Sequence, residues 1–222
     1  MERHFQHELE SLKTMLIKMG SVVEENISHA LQALLERNAV LAQKVIENEE
    51  RINTLEIEID NTIIDLLALQ QPVASDLRFI IAAQKINNDL ERIGDHAVNI
   101  AESDLNLLKI KPLDSLLELP KMIVTTKLML RLALDSFILL DPRMAQKVLE
   151  TDDQIDDFNR SMTTEVIELL RSDKRTIECG LELIRISRNL ERVADITTNI
   201  AEEVIFHTQA RVVKHHAEEI KN

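Results

Sequence analysis

The side chains best placed to do chemistry are carboxylates and amides that recur at intervals of four positions in two related segments. Residues four apart on an α-helix share one face, with their Cβ atoms about 5–6 Å apart. Two carboxylates at that spacing repel each other unless a cation lies between them. Hard oxygen ligands suit magnesium, calcium, manganese or non-haem iron better than metals that prefer thiolates. The candidate ligands on these segments are Glu91, Asp95, Asn99, Glu191, Asp195 and Asn199.

A second pair of segments carries a similar stripe of oxygen-bearing side chains. The stripe continues to Glu56 and Asp60 in one segment and to Asn159 and Thr163 in the other. If each stripe faces the corresponding Glu-x-x-x-Asp, each half of the chain gains a cluster of hard ligands. The alternative interpretation is an ordinary solvated acidic face with arginines nearby. The candidate ligands on these segments are Glu49, Asn53, Asp152 and Asp156.

The two halves of the sequence repeat each other. Residues 87–102 read NNDLERIGDHAVNIAE and residues 187–202 read SRNLERVADITTNIAE, with eight of the sixteen aligned positions identical. Upstream, the AQKV of residues 42–45 recurs at 145–148, so the offset there is 103 instead of 100. A loop of variable length explains that difference. We interpret the pattern as an internal duplication and predict that residues 1–110 and 111–222 are the two repeats.

Composition and periodicity predict three helices in each repeat. Three glycines and four prolines allow few tight turns, and the abundant Leu, Ile, Ala, Glu and Lys favour helix. Apolar residues recur every three or four positions, as at Ile52 and Leu55, which predicts helices that bury one face. Asn38 and the pair Asp141-Pro142 predict helix starts. The predicted fold is all-α, with two pseudo-symmetric three-helix bundles built from helices at 7–37, 39–70, 76–108, 120–140, 142–171 and 176–207.

Composition also excludes several classes of protein. The chain has 26 basic and 39 acidic residues, and a net charge of −13 argues against nucleic-acid binding. A single cysteine rules out a disulfide scaffold and fits a reducing compartment. The most apolar stretch, residues 128–140, contains Arg131 and Asp135 and is too short to span a bilayer. Because the first residues also lack the layout of a signal peptide, we expect a cytoplasmic protein that associates with membrane complexes only peripherally.

No sequence pattern favours an enzyme. Gly20, Gly94 and Gly180 are too far apart to form a phosphate-binding loop, and no nucleophile stands with a recognisable base. A carboxylate-bridged metalloenzyme on a helical bundle would use Glu-x-x-His, a pattern that occurs nowhere in this chain. This absence weighs strongly against the metalloenzyme, which stays an alternative beside a regulator that binds metal and a helical adaptor that does not.

The doubled segments LERIGDHAVNIAE and LERVADITTNIAE, in two three-helix repeats of this length, resemble the PhoU family of phosphate-uptake regulators. The resemblance covers nearly the whole chain. It implies a cytoplasmic negative regulator, homodimeric, that couples a phosphate ABC transporter ATPase to a phosphate-sensing histidine kinase. It also implies metal ions, such as iron, zinc, manganese or magnesium, at the Glu/Asp-x-x-x-Asp motifs.

Carried onto this chain, the resemblance assigns metal ligands pair by pair. One pair departs from the two-carboxylate pattern because position 53 is Asn. The implied pairs are Glu91 with Asp95, Glu191 with Asp195, Glu49 with Asn53, and Asp152 with Asp156.

Overall fold

A computed structural model describes residues 2–111 and 118–213, and these ranges contain helices and no strand. None of the described helices is long and apolar enough to cross a membrane. The helices are α1 (Glu2–Glu36), α2 (Ala39–Glu47), α3 (Glu49–Gln70), α4 (Ala74–Leu107), α5 (Leu119–Leu139), α6 (Pro142–Ser172), a short 3₁₀ turn (Lys174–Thr176) and α7 (Ile177–Gln209).

The helices form the two predicted three-helix bundles. In the first, α1 packs against α4, and α2 and α3 continue each other along the side of both. In the second, α5, α6 and α7 all pack against one another. The halves meet mainly along α4 and α7, with α1 beside α5, and one cluster of buried apolar side chains runs through both halves. The helices that carry the Glu-x-x-x-Asp motifs are therefore also the helices that join the halves.

Local sequence signals explain where the helices begin. The side chain of Asn38 accepts a hydrogen bond from the backbone N–H of Leu41 (3.1 Å). Asp141 caps the start of α6 in the same way, accepting from the backbone N–H of Arg143 (2.9 Å). Each cap satisfies an N–H group that has no partner within its own helix. The apolar stripe that begins at Ile52 is buried, as its periodicity predicts.

The predicted helix at 39–70 is divided at Asn48 into α2 and α3. A buried amide on α1 accounts for the division. Asn26 donates from Nδ2 to the carbonyl of Val45 (3.2 Å), and Asn48 donates from Nδ2 to Asn26 Oδ1 (3.4 Å). The carbonyl of Val45 thus accepts a hydrogen bond from a side chain, whereas in an uninterrupted helix it would accept only from a backbone N–H group of the same helix. The equivalent helix of the second half, α6, runs without interruption.

A glycine allows close packing between α3 and α4. A Cβ atom at Gly94 would lie 2.9 Å from Ile52 Cδ1. The repeat places Ala194 at the equivalent position of α7. Because Gly94 has no side chain, Ile52 of α3 packs directly against the backbone of α4 within one turn of Glu91 and Asp95. This close packing sets the distance between the two acidic stripes.

Candidate functional site

In the first half, the acidic side chains of α3 and α4 act on one another. Desolvation is the largest cause that raises the pKa of Glu91 above its ordinary value, and the carboxylates of Asp95 and Glu56 add to it. Glu49 raises that pKa further, whereas the guanidinium of Arg92 lowers it. Desolvation and neighbouring carboxylates, Asp95 among them, also raise the pKa of Glu56. The structure thus brings the two predicted stripes of this half together.

Asn53 contributes an amide oxygen to the same face of α3. It lies one turn after Glu49 and one turn before Glu56. Its Oδ1 is buried and has no hydrogen-bond partner among the described residues. A buried acceptor without a partner costs about 1–3 kcal/mol. A cation would satisfy this oxygen without adding another negative charge.

Next to this cluster, hydrogen bonds hold the stripe helices together in both halves. Asp60 Oδ1 accepts from Gln84 Nε2 (2.9 Å) and from Asn87 Nδ2 (2.7 Å). In the second half, Ser187 Oγ donates to Asn159 Oδ1 (2.6 Å). Asp60 therefore serves to join α3 to α4, and its carboxylate is already engaged.

In the second half, the acidic side chains of α6 and α7 also lie within electrostatic reach. Desolvation is the largest cause that raises the pKa of Asp195, followed by the carboxylates of Glu191 and Asp156. Arg192 opposes this shift. Asp152 lies one turn before Asp156 and is half-buried. Both halves therefore set the carboxylates of the motif helix against acidic side chains of a neighbouring helix.

The two predicted asparagine ligands lie farther along their helices. Asn199 hydrogen-bonds Asp89 of α4 and lines a groove between α4 and α7, so it meets the other half instead of α6. Asn99 is half-buried one turn after Asp95. Four residues span slightly more than one helical turn, so each step along the stripe rotates its side chains by about 40°. That rotation carries the end of the α7 stripe towards the other half.

The residues fit a hard cation in donor type and charge, but only in part in geometry. Each half offers carboxylate oxygens, and the first half adds the unsatisfied amide of Asn53. Clustered carboxylates with raised pKa values gain from a positive charge placed between them. Within residues 2–111 and 118–213, however, no three Asp, Glu, His or Cys side chains stand close enough to hold one ion.

Two grooves beside the contact of α4 with α7, within the described part of the chain, have no counterpart among the sequence predictions. The first has a volume of about 360 Å³ and is lined by polar side chains. Lys85 Nζ lies 2.7 Å from the buried carboxylate of Glu203, and Arg92 lies 3.2 Å from Asp89. Burial raises the pKa of Asp89 to about 6 against the opposing effect of Arg92. Its basic residues are therefore matched by carboxylates.

The second groove has a volume of about 410 Å³, and its lining positions 185, 188, 189 and 192 are the repeat equivalents of positions 85, 88, 89 and 92 in the first. Arg185 of α7 bridges to Glu102 of α4 at 3.2 Å. His96 Nδ1 of α4 lies 2.8 Å from Asn189 Oδ1 of α7. Its lining residues are Leu181, Ile184, Arg185, Arg188, Asn189 and Arg192. Aligning the two repeats by charge at positions 85 and 185, and at 92 and 192, would have pointed to both grooves.

Comparison with known proteins gives consistent matches over most of the chain. The PhoU domain matches residues 16–103 and 119–204. The phosphate-specific transport system accessory protein PhoU homolog of Aquifex aeolicus is 38% identical over 208 residues, covering 94% of both chains. The protein of the same name from Pseudomonas putida is 36% identical, covering 96% of this chain and 84% of its own length.

Two crystal structures share the fold. PhoU from Pseudomonas aeruginosa has a TM-score of 0.90 at 35% identity, covering 93% of this chain and all 100% of that one. The phosphate transport system regulatory protein PhoU from Streptococcus pneumoniae has a TM-score of 0.87 at 32% identity, covering 95% of this chain and 100% of its own. With the duplicated motif and the paired bundles, these matches lead to one conclusion: the chain belongs to the PhoU domain family.

Proposed function

We propose that this chain is an accessory protein of a phosphate-specific transport system. The observation that carries the proposal is its similarity to proteins of that name, 38% and 36% identical over 94% and 96% of this chain. The match spans both repeats, so the proposal concerns the chain as a whole and not one module of it.

Its action in this proposal is negative regulation of phosphate uptake and of the phosphate-starvation response. The chain couples the transporter ATPase to a phosphate-sensing histidine kinase through protein contacts, at the cytoplasmic side of the membrane complex and as a homodimer. Exposed apolar side chains on the helix surfaces support contact with partners, among them Ile57 and Ile64 of α3 and Ile167 of α6. Its role needs no catalysis.

Metal ions at the two carboxylate clusters form the second part of the proposal. Glu49, Glu56, Glu91 and Asp95, with the amide of Asn53, would hold an ion such as iron, zinc, manganese or magnesium in the first half. Desolvation is the largest cause of the raised pKa of Glu91, and the repulsion from Asp95 and Glu56 that adds to it supports this assignment. Asp152, Asp156, Glu191 and Asp195 would do so in the second half.

Deletion of the gene tests the regulatory role. Phosphate-starvation genes should become constitutively active at high phosphate, and the wild-type gene should restore repression. Normal repression in the deletion strain would contradict the proposal. A pull-down from wild-type cells with the full chain should retain the transporter ATPase or the sensor kinase, identified by mass spectrometry.

A helical adaptor without metal is the second candidate. One observation favours it, because no three-ligand group is formed in the part of the chain that the structure describes. Metal analysis of the purified protein separates the two candidates. Protein that regulates phosphate genes normally after all metal is removed by chelation would favour the adaptor.

A further inference from the structure

The second groove is basic in a chain whose net charge is −13. Arg185, Arg188 and Arg192 line it, and no acidic side chain is among its lining residues. Residues separated by three and four positions share one helix face, where like charges repel. Three guanidinium groups on one face therefore weaken α7 slightly by themselves, and a negatively charged partner would relieve that repulsion.

Most of the positive charge in this groove lacks a partner. Arg185 pairs with Glu102, and both side chains are about half exposed, so the pair is worth at most about 1 kcal/mol. Arg188 makes no ion pair or hydrogen bond with any residue that the structure describes. Arg192 is exposed, makes no ion pair or hydrogen bond with the described residues, and acts through space on His96 and Asp195. The donors of Arg188 and Arg192 are therefore available to a ligand.

The first groove shows that this charge is a feature of one half. Its lining combines Lys85 and Arg92 with three acidic side chains. In the repeat, the position equivalent to Asp89 is Asn189, and the position equivalent to Glu203 is Ser103. The related grooves thus share equivalent positions of the repeat, while the second lacks two of the three carboxylates of the first and keeps the third as Glu102, which pairs with Arg185.

An exposed apolar stretch precedes the arginines on α7. Ile177 is 44% exposed and Leu181 is 57% exposed, and Ile184 lines the groove beside Arg185. From residue 177 to residue 192 the helix rises roughly 22 Å. A surface of that length, apolar at one end and basic at the other, exceeds what one small anion can contact. It matches a polypeptide segment.

We propose that residues 177–192 of α7 form a docking groove for an acidic amphipathic segment of a protein partner. Carboxylates of the segment bind Arg188 and Arg192, and its apolar side chains pack on Leu181 and Ile184. Arg clusters recognise acidic motifs in this way, through charge-assisted hydrogen bonds. The inference rests on the proposed function only in that the chain acts through protein contacts.

A binding measurement with a defined probe tests the groove. The probe is a fluorescein-labelled 16-residue helical peptide with two leucines near one end and three glutamates at three- and four-residue spacing. Its binding to the full chain is followed by fluorescence anisotropy. The variant Arg188→Glu plus Arg192→Glu should bind at least about tenfold more weakly. A probe with lysine in place of glutamate should bind that variant better than it binds the wild type.

The matched control is Lys18→Glu plus Lys147→Glu, which lowers the net charge from −13 to the same −17 on exposed faces of α1 and α6. It should bind the acidic probe as the wild type does. Equally weakened binding of the acidic probe by both variants would overturn the proposal, because the net charge of the protein would then explain the binding. An acidic probe that fails to bind the wild type would also overturn it.

Two further arms define the ligand. Replacing the two leucines of the probe by alanine should weaken binding, and unchanged binding would overturn the apolar part. Inorganic phosphate, compared with sodium chloride at equal ionic strength, should not displace the probe, and full displacement would assign the groove to a small anion. The assay uses purified protein, so its failure leaves the deletion phenotype intact. Normal repression in the deletion strain would likewise leave a positive binding result standing.

Discussion

The two halves carry the same Glu-x-x-x-Asp on α4 and α7, but the helices that face these motifs differ. On α3 the stripe ends in Asp60, which two amides hold, whereas the equivalent position of α6 is Thr163. In the first half an amide oxygen, that of Asn53, is buried without a hydrogen-bond partner. The duplicated fold therefore sets equivalent backbones side by side and leaves the chemistry to a few side chains.

The grooves at the α4–α7 contact show the same separation of shape from charge. The first groove is neutralised by its own ion pairs, such as Lys85 with Glu203 at 2.7 Å. The second exposes Arg188 and Arg192, and no carboxylate is among its lining residues. Helix packing fixes where a groove forms, while its charge depends on which side chains the repeat carries at equivalent positions, such as Asp89 in the first groove and Asn189 in the second.

The largest expected difference between the halves concerns Asp104, whose counterpart is Val204. Asp104 is 1% exposed, and neither of its carboxylate oxygens has a hydrogen-bond partner among the described residues. Burial raises its pKa from 3.8 to about 6, and Arg37 only partly opposes this. Because the folded pKa is the higher one, the carboxyl group destabilises the fold progressively as pH rises from 3.8 towards 6, and fully above that.

The variant Asp104→Val should therefore be more stable than the wild type by about 3 kcal/mol at pH 7.5. The advantage should shrink as pH falls below 6 and the wild-type carboxyl is protonated. Urea denaturation followed by circular dichroism at several pH values measures both effects. A difference between the two proteins that stays constant from pH 4 to pH 7.5 would contradict the burial of a charged group.

The next largest expected difference is in metal affinity, which should be higher for the carboxylate cluster of the first half than for that of the second. The variant Glu91→Ala plus Asp95→Ala should bind metal at least about tenfold more weakly in the first half, since even outer partners of a metal ligand matter by 10–100-fold. Glu191→Ala plus Asp195→Ala should have a smaller effect, because no amide oxygen among the described residues of the second half is buried without a hydrogen-bond partner, as that of Asn53 is. Inductively coupled plasma mass spectrometry with titration of each metal provides the measurement. Metal content unchanged in both variants would refute the ligand assignment.

The two halves should differ less in how much the hydrogen bonds between α3 and α4, and between α6 and α7, contribute to the free energy of unfolding. The variant Asp60→Ala removes the carboxylate that binds the buried Asn87 amide and should cost about 2 kcal/mol. Asn159→Ala removes one neutral bond from Ser187 and should cost about 1 kcal/mol. Chemical denaturation of the two variants gives the comparison. Equal losses would mean that the charge on Asp60 adds nothing to this contact.

The smallest expected effect is that of Gly94→Ala, which gives α4 the residue of its counterpart Ala194. The new Cβ meets the Cδ1 end of Ile52, which can rotate, and alanine favours helix over glycine by about 1 kcal/mol. These effects oppose each other, so the unfolding free energy should change by about 0.5 kcal/mol or less. A thermal-melting shift that corresponds to a loss above about 2 kcal/mol would show that α3 cannot move away.

Most of the fold could be predicted because its signals are local. Helix caps such as Asn38 and Asp141 act within three residues, and the apolar stripe of α3 repeats at the period of a helix. The division at Asn48 could not be predicted, because it depends on Asn26 of another helix. For the same reason the sequence places Asn199 on the stripe of Asp195 but does not predict its hydrogen bond to Asp89 of the other half.

The six-helix duplication and the acidic stripes can be predicted from the amino-acid sequence, because both follow from periodicity along one chain. Contacts between helices establish which stripes face each other and that Arg188 and Arg192 line an open groove. They also bury the carboxylate of Asp104 where no described residue hydrogen-bonds it. The physical reason is that desolvation and electrostatic fields depend on distances between helices. Those distances are set by small contacts across the core, such as Gly94 against Ile52.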